Sequence, residues 1–393
     1  MADLFNWREQ KEKDHKNINS KDELESVFNS IMNNTYEDLH NRQMQDFGEN
    51  LVKTYLFECY NQKEKNQEKI RNSFNQLNDN DKFEVNELDN GFFSVKDIEK
   101  EATFYLENID NRFIKGHSAD KADDCREGVK KIIKETSIFD RAWFSSKLLE
   151  NLSYIGNFES WKSSFDSKGV YTEKEIREEK LDWEELRISM KSRNPRKYLE
   201  EMRKTNIFQN NLPLTGIKIS NGDIEDDFAR EEVNFKGKFT ARGNNFPKHN
   251  KVVDSFYEKY SKLICFIEDE FGFDYSGQRI DGKPLIINHK EIDEESFEAT
   301  VKNWFKGKKP FRLWGDVDFE YDDFVKIKAV DLHTGHKLNF EIGLDFMRVY
   351  LPAASCGNTI ARLITNLEQH FASSIEVSSQ KFKDILAKDK LNE

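Results

Sequence analysis

Residues 325–359, VKIKAVDLHTGHKLNFEIGLDFMRVYLPAASCGNT, decide how the C-terminal half of the chain is read. Val325, Ile327 and Ala329 alternate with Lys326 and Lys328, and Leu338, Phe340 and Ile342 alternate with Lys337, Asn339 and Glu341. A period of two places apolar side chains on one face of a strand and polar ones on the other. The two runs are joined by His333-Thr334-Gly335-His336, where Gly335 supplies the positive φ that a hairpin turn requires. Phe346 to Leu351 reads as a return strand. Gly357-Asn358 caps a helix with Ile360, Leu363, Ile364, Leu367 and Phe371 on one face.

Outward from this stretch, alternation predicts a strand over 233–242, a helix opening at Pro247, a strand over 283–292, a short helix over 293–305 and further strands from Phe311. These form an α+β domain over 217–377, with a mixed or antiparallel sheet covered by helices and a flexible tail over 378–393. An Asn, Pro and Gly cluster at 206–216 marks a linker. Residues 1–205 read as an irregular all-helical domain. Ser20 with Glu23 is a capping box, Asn194-Pro195 is a capped helix start, and Thr35, Ser94 with Asp97, Ser118 and Thr172 with Glu175 mark further starts. No fixed-period self-similarity is visible there.

The composition supports folded cores, because 37% of residues are hydrophobic and 32 are phenylalanine, in a chain of 393 whose length favours two domains. A formal net charge of -12 disfavours binding to phosphate backbones or anionic lipid except through a local basic patch. Four cysteines, Cys59, Cys125, Cys265 and Cys356, lack metal-type spacing and read as free thiols of a cytoplasmic protein. No apolar run has the length of an export signal or a membrane span.

Three groups of residues carry candidate chemistry. Cys356 before a helix start, His333 or His336 as its base and Asp331 as the orienting acid make a Cys-His-Asp arrangement suited to hydrolysis. Asp316, Asp318 and Glu320 alternate onto one strand face, where adjacent carboxylates can hold Mg²⁺. Asp316-Val-Asp318 followed by Asp331 resembles the acidic triad of nucleotidyltransferases, without that family's preceding Gly-Ser element. The resemblance implies metal-dependent nucleotidyl or phosphoryl transfer. Lys236, Lys238 and Arg242 share one face of the 233–242 strand and could track a nucleic-acid backbone. Each group has a plainer reading, namely a hairpin with a helix cap, a solvated acidic face and a lysine-protected strand. The leading expectation is a non-enzymatic interaction or regulatory subunit with a protein partner and no resident cofactor; an enzyme and a nucleic-acid-binding protein are the alternatives.

Overall fold

The computed structural model describes residues 17–41, 51–60, 67–79, 81–136, 138–168, 170, 185–223, 227–274, 281–318 and 324–387. The described residues form eighteen strands and nine helices, with antiparallel ladders predominating. The chain divides into two compact units that are discontinuous in sequence. The first holds residues 1–142, 155–157 and 218–257, and the second holds 143–154, 158–217 and 258–393. The 206–216 stretch, expected as a linker, lies inside the second unit.

In the first unit, helix α1 (Lys21–Asn41) precedes strand β1 (Lys53–Cys59) and helix α2 (Gln67–Asp79). A four-strand meander follows: β2 (Phe83–Asp89), β3 (Phe92–Asp97), β4 (Thr103–Asn108) and β5 (Phe113–Ser118). Helix α3 (Ala122–Glu135) and the short strand β6 (Phe139–Arg141) complete the run. The sheet order is β2-β3-β4-β5-β1, with β6 also pairing β1. An all-helical N-terminal domain is thus overturned. The expectation failed because β1 and β5 are buried along their whole length. A strand covered on both faces loses the alternation that distinguishes it from a helix. Ser94 and Asp97 lie on β3, and Thr35 lies within α1, where its hydroxyl donates to the Ile31 carbonyl at 2.6 Å. Thr172 and Glu175 lie outside the described residues. The Ser20 box is present, with Glu23 N–H donating to Ser20 Oγ at 3.2 Å.

Continuing along the chain, α4 (Ser146–Leu152), β7 (Asn157–Asp166), β8 (Glu185–Lys191), α5 (Pro195–Arg203) and β9 (Leu214–Asp223) lead to β10 (Asp227–Asn234) and β11 (Lys238–Gly243). The expected 233–242 strand is a hairpin between β10 and β11. Asn234 Oδ1 accepts the N–H groups of Lys236 and Lys238, and Gly237 takes φ 64°, so the chain reverses at Phe235–Gly237. Helix α6 (Phe246–Phe271) begins with Asn245 Oδ1 accepting the Lys248 N–H.

The second unit contains β12 (Gly272–Phe273), β13 (Leu285–Asn288), α7 (Glu294–Trp304), β14 (Leu313–Asp318), β15 (Val325–Asp331), β16 (Lys337–Ile342), β17 (Phe346–Pro352), α8 (Gly357–His370), β18 (Glu376–Val377) and α9 (Gln380–Leu386). Its hairpin at 325–342 has the register read from the sequence, with Val330 opposite Lys337. The tail is a capped helix to Leu386, with Phe382 and Leu386 buried.

The two units contain the same module twice. β1-α2-β2-β3-β4-β5-α3-β6 and β13-α7-β14-β15-β16-β17-α8-β18 share one order of elements, and their sheets share one strand order. Registers agree residue by residue: Phe57 pairs Ile114 and Arg141, and Ile287 pairs Met347 and Val377. Asp97 ends β3 as Asp331 ends β15. Asp97 N–H donates to the Ala102 carbonyl and Asp331 N–H to that of His336, each at 2.9 Å. The following residues, Ile98 and Leu332, are both exposed large apolars at 51% and 54%, and donate to Lys82 and Arg312. Glu101 and Gly335 take φ 54° and 73° at matching turn positions. Cys125 precedes Lys131 by the same interval as Cys356 precedes Arg362, and Lys131 and Arg362 pair with Asp97 and Asp331.

Candidate functional site

The residues of the opening stretch meet, but as a clamp. Asp331 is fully buried and its carboxylate accepts from Arg362, from Thr359 Oγ1 at 2.8 Å, from Thr334 Oγ1 at 3.1 Å and from the His333 N–H at 2.9 Å. Burial pushes this carboxyl up, but Arg362 and the donors outweigh it and hold it below the ordinary carboxylate range. The acid therefore fixes the hairpin turn to the first turns of α8, and its described bonds do not orient an imidazole. Cys356 donates its backbone N–H to His336 Nδ1 at 3.4 Å, while Gly357 N–H donates to Glu268 Oε1 at 2.7 Å. These bonds satisfy the free donors of the α8 N-terminus. His336 accepts through Nδ1, and burial lowers its basicity against the opposing charges of Asp331 and Glu268, so the neutral ring suits its capping role.

Asp316 and Asp318 lie on the exposed face of β14, opposite Lys328 and Lys326 of β15. The next strand places Glu341 opposite Lys326, and β17 places Arg348 opposite Glu341, so signs alternate across four strands. Cross-strand lysines thus account for the acidic alternation without a cation. Glu320 lies outside the described residues, and no group of three metal-ligating side chains occurs among those described. Lys236 sits in the β10–β11 turn with Nζ 4.8 Å from the Phe235 ring centre; Lys238 is half-buried on β11 and Arg242 exposed. The turn separates Lys236 from the strand that carries the other two.

The arrangement with the most chemistry lies in the first unit and joins five elements. Thr54 on β1, His117 on β5, His249 in the first turns of α6 and Glu231 on β10 are all fully buried. Glu231 Oε2 lies 2.9 Å from His249 Nδ1, His249 Nε2 lies 2.6 Å from Thr54 Oγ1, and Thr54 Oγ1 lies 2.9 Å from His117 Nδ1. His117 Nε2 points toward Glu107 of β4, whose Oε2 is 3.9 Å away. A carboxylate only accepts, so the network assigns the hydrogen to His249 Nδ1. The Thr54 hydroxyl then donates to His249 Nε2 and accepts from His117 Nδ1–H. Burial is the largest influence on His117 and lowers its pKa to about 4, against the pull of Glu107. Its Nε2 is therefore a buried lone pair at neutral pH. Hydroxyl, imidazole and carboxylate stand as in a nucleophile, base and orienting acid. Two features keep Thr54 from that role in this closed form: its oxygen already accepts from His117, and no side chain of the relay except Glu107 reaches solvent.

Sequence reading missed this relay because its members are far apart along the chain and are brought together by the β1–β5, β1–β11 and β10–β11 ladders. The available signal was polar intrusion into apolar runs, at Thr54 and Glu58 within VKTYLFEC and at His117 within FIKGHS.

The chain is similar over 411 aligned positions to the uncharacterized protein MJECL33 of Methanocaldococcus jannaschii, at 27% identity covering 93% of this chain and 95% of that protein. A family profile described as MJECL33-like protein matches residues 12–386, which include both modules and every residue of the relay and the clamp, and the chain accordingly belongs to the MJECL33-like family.

Proposed function

We propose that the protein is a non-enzymatic interaction or regulatory subunit acting in the cytoplasm, and that the open sheet face of its second module engages a protein partner. The observation that carries this reading is the difference between the two modules on equivalent faces. In the first, α1 lays Leu24, Phe28, Ile31 and Met32 against a buried cluster that includes Val52, Phe92, Tyr105 and Phe246. In the second, the matching face presents Trp314 at 57% exposure with exposed Asp316, Lys326, Lys328, Lys337 and Asn339. A large exposed indole rimmed by paired charges suits recognition of another protein surface. The sign alternation leaves little net field for a phosphate backbone. Among the described residues no helix is long and apolar enough to cross a membrane, which accords with a cytoplasmic setting.

A photo-crosslinking residue at Lys328 tests this reading, with Lys130, exposed on α3, as the control position. A discrete protein adduct in native cells at Lys328 and not at Lys130 is expected. Adducts at neither position, or at both alike, would overturn the reading.

A further inference from the structure

We infer that α1 is a detachable latch over the first module, and that its seating is coupled to the protonation state of His117. The His117 imidazole lies in a box made by Phe28 of α1 and Phe246 of α6, at ring separations of 6.2 Å and 5.6 Å. Beneath it Thr54 Oγ1 holds Nδ1, with His249 bonded to Thr54 in turn, leaving Nε2 without a hydrogen-bond partner. Among the described residues, the charged and titratable groups around it are few. Glu107 and Tyr105 face it from β4, Lys115 flanks it on β5, and His249 approaches from α6 with Glu231 of β10 behind. From α1, Lys21 reaches Glu107 Oε1 at 3.1 Å.

Among the described residues, no helix covers the matching sheet face of the second module. At the position of His117 it carries Tyr350, half exposed to solvent, whose hydroxyl donates to Glu341 Oε2 at 2.8 Å. Glu341 is the counterpart of Glu107, each standing opposite a basic residue of the next strand, Arg348 or Lys115. The same carboxylate position is satisfied in the open module by neighbours on its own sheet. In the first module, Lys21 of α1 supplies part of that satisfaction. The polar ties of α1 to the sheet and to α6 are individually modest: Lys21 to Glu107, the Ile18 N–H to Tyr105 Oη at 3.4 Å, and the Phe246 N–H to Asn29 Oδ1 at 2.9 Å. A small void lined by Met32, Thr35, Leu51, Val52 and Ala241 lies along the same junction.

Lifting α1 admits water to His117, which then regains an ordinary imidazole pKa of 6.5 instead of about 4. The open form therefore takes up a proton that the closed form refuses, and opening gains as pH falls from 6.5 toward 4. At pH 5 the two values favour opening by about 20-fold over pH 7. Opening would uncover Phe92, Tyr105 and the Thr54–His249–Glu231 relay together.

Amide hydrogen exchange on the full chain, corrected for intrinsic pH dependence, tests the latch. Amides of residues 24–34 should gain about 20-fold in opening equilibrium between pH 7 and pH 5. The interior amides of β4 and β5 should keep their protection. His117→Asn, whose amide can still donate to Thr54, and His117→Phe should abolish the pH dependence at α1. A pH-independent α1 in the native protein, an unchanged pH dependence in the variants, or parallel loss of protection in β4 and β5 would overturn the inference. The native comparison decides alone if either variant misfolds.

Discussion

Removing the acid of each clamp should have unequal effects on the two modules, although the clamps occupy equivalent positions. Asp331→Ala takes the carboxylate from Arg362, a cation only 4% exposed, and strips acceptors from Thr359, Thr334 and the His333 N–H. Breaking a buried pair from one side costs about 3–5 kcal/mol, so a loss of about 4 kcal/mol is expected in the second unit. Asp97→Ala removes acceptors for the Glu99 and Lys100 N–H groups and one partner of Lys131. Lys131 is 26% exposed and keeps Glu99, so its charge can turn to water. A loss of about 1–2 kcal/mol is expected in the first unit. Because a two-unit chain need not unfold in one step, the assay is native-state amide exchange read on β3 and β4 for one unit and on β15 and β16 for the other. Replacing both members of the second clamp, Asp331→Leu with Arg362→Met, should recover part of the loss. Equal losses in the two units, or a double variant no better than Asp331→Ala, would refute the argument that burial of the cation sets the cost.

Thr54→Val keeps the shape of the side chain but orphans two buried imidazole nitrogens, so the first unit should lose about 2–4 kcal/mol by denaturant titration while the second is unaffected. Glu368 on α8 accepts the Ser146 N–H at 2.7 Å, yet burial outweighs that bond and nearby Arg203 and raises its pKa to about 8. A carboxyl raised in the folded state contributes fully below its ordinary 4.5 and loses that contribution as pH rises through 8. Glu368→Gln should therefore remove a decline on the order of 5 kcal/mol between pH 4.5 and pH 8, measured as the difference in urea midpoints on either side of that range. Cys59, Cys125 and Cys356 are buried and Cys265 is exposed, so iodoacetamide under native conditions should label Cys265 and spare the other three, as peptide mass analysis would show.

The sequence was legible where one strand face meets solvent. The 325–342 hairpin could be read with its register because Lys326, Lys328, Lys337 and Asn339 are exposed and mark the period. The equivalent β3–β4 hairpin, FFSVKD and TFYLEN, was taken for helix because Phe92 and Tyr105 are apolar on the face where the second copy carries Lys326 and Asn339. That covering also hid the duplication, since the copies differ most where one is closed and the other open. What they keep is sparse: an aspartate ending the second meander strand, a cysteine near the start of the following helix with a basic residue six positions on, and a glutamate opposite a basic residue. Asp331, His336 and Cys356 are drawn together by the requirements of a turn and a helix start, which use the same donors and acceptors as catalysis. The relay could not be read at all, because Glu231 and His249 reach Thr54 only through pairing across nearly half the chain.

That separation has a consequence for how the protein is made. Thr54 and His249 are 195 residues apart, and β1 takes its β11 neighbour from the same distant region. At the usual 5–20 residues per second of translation, β1 leaves the ribosome roughly 10–40 seconds before its last neighbour exists. During that interval the local meander can form, but half of β1 keeps a bare edge and His117 lacks the partners that bury it. An unpaired apolar edge is a template for association with other chains, so nascent first modules are where chaperone engagement should concentrate.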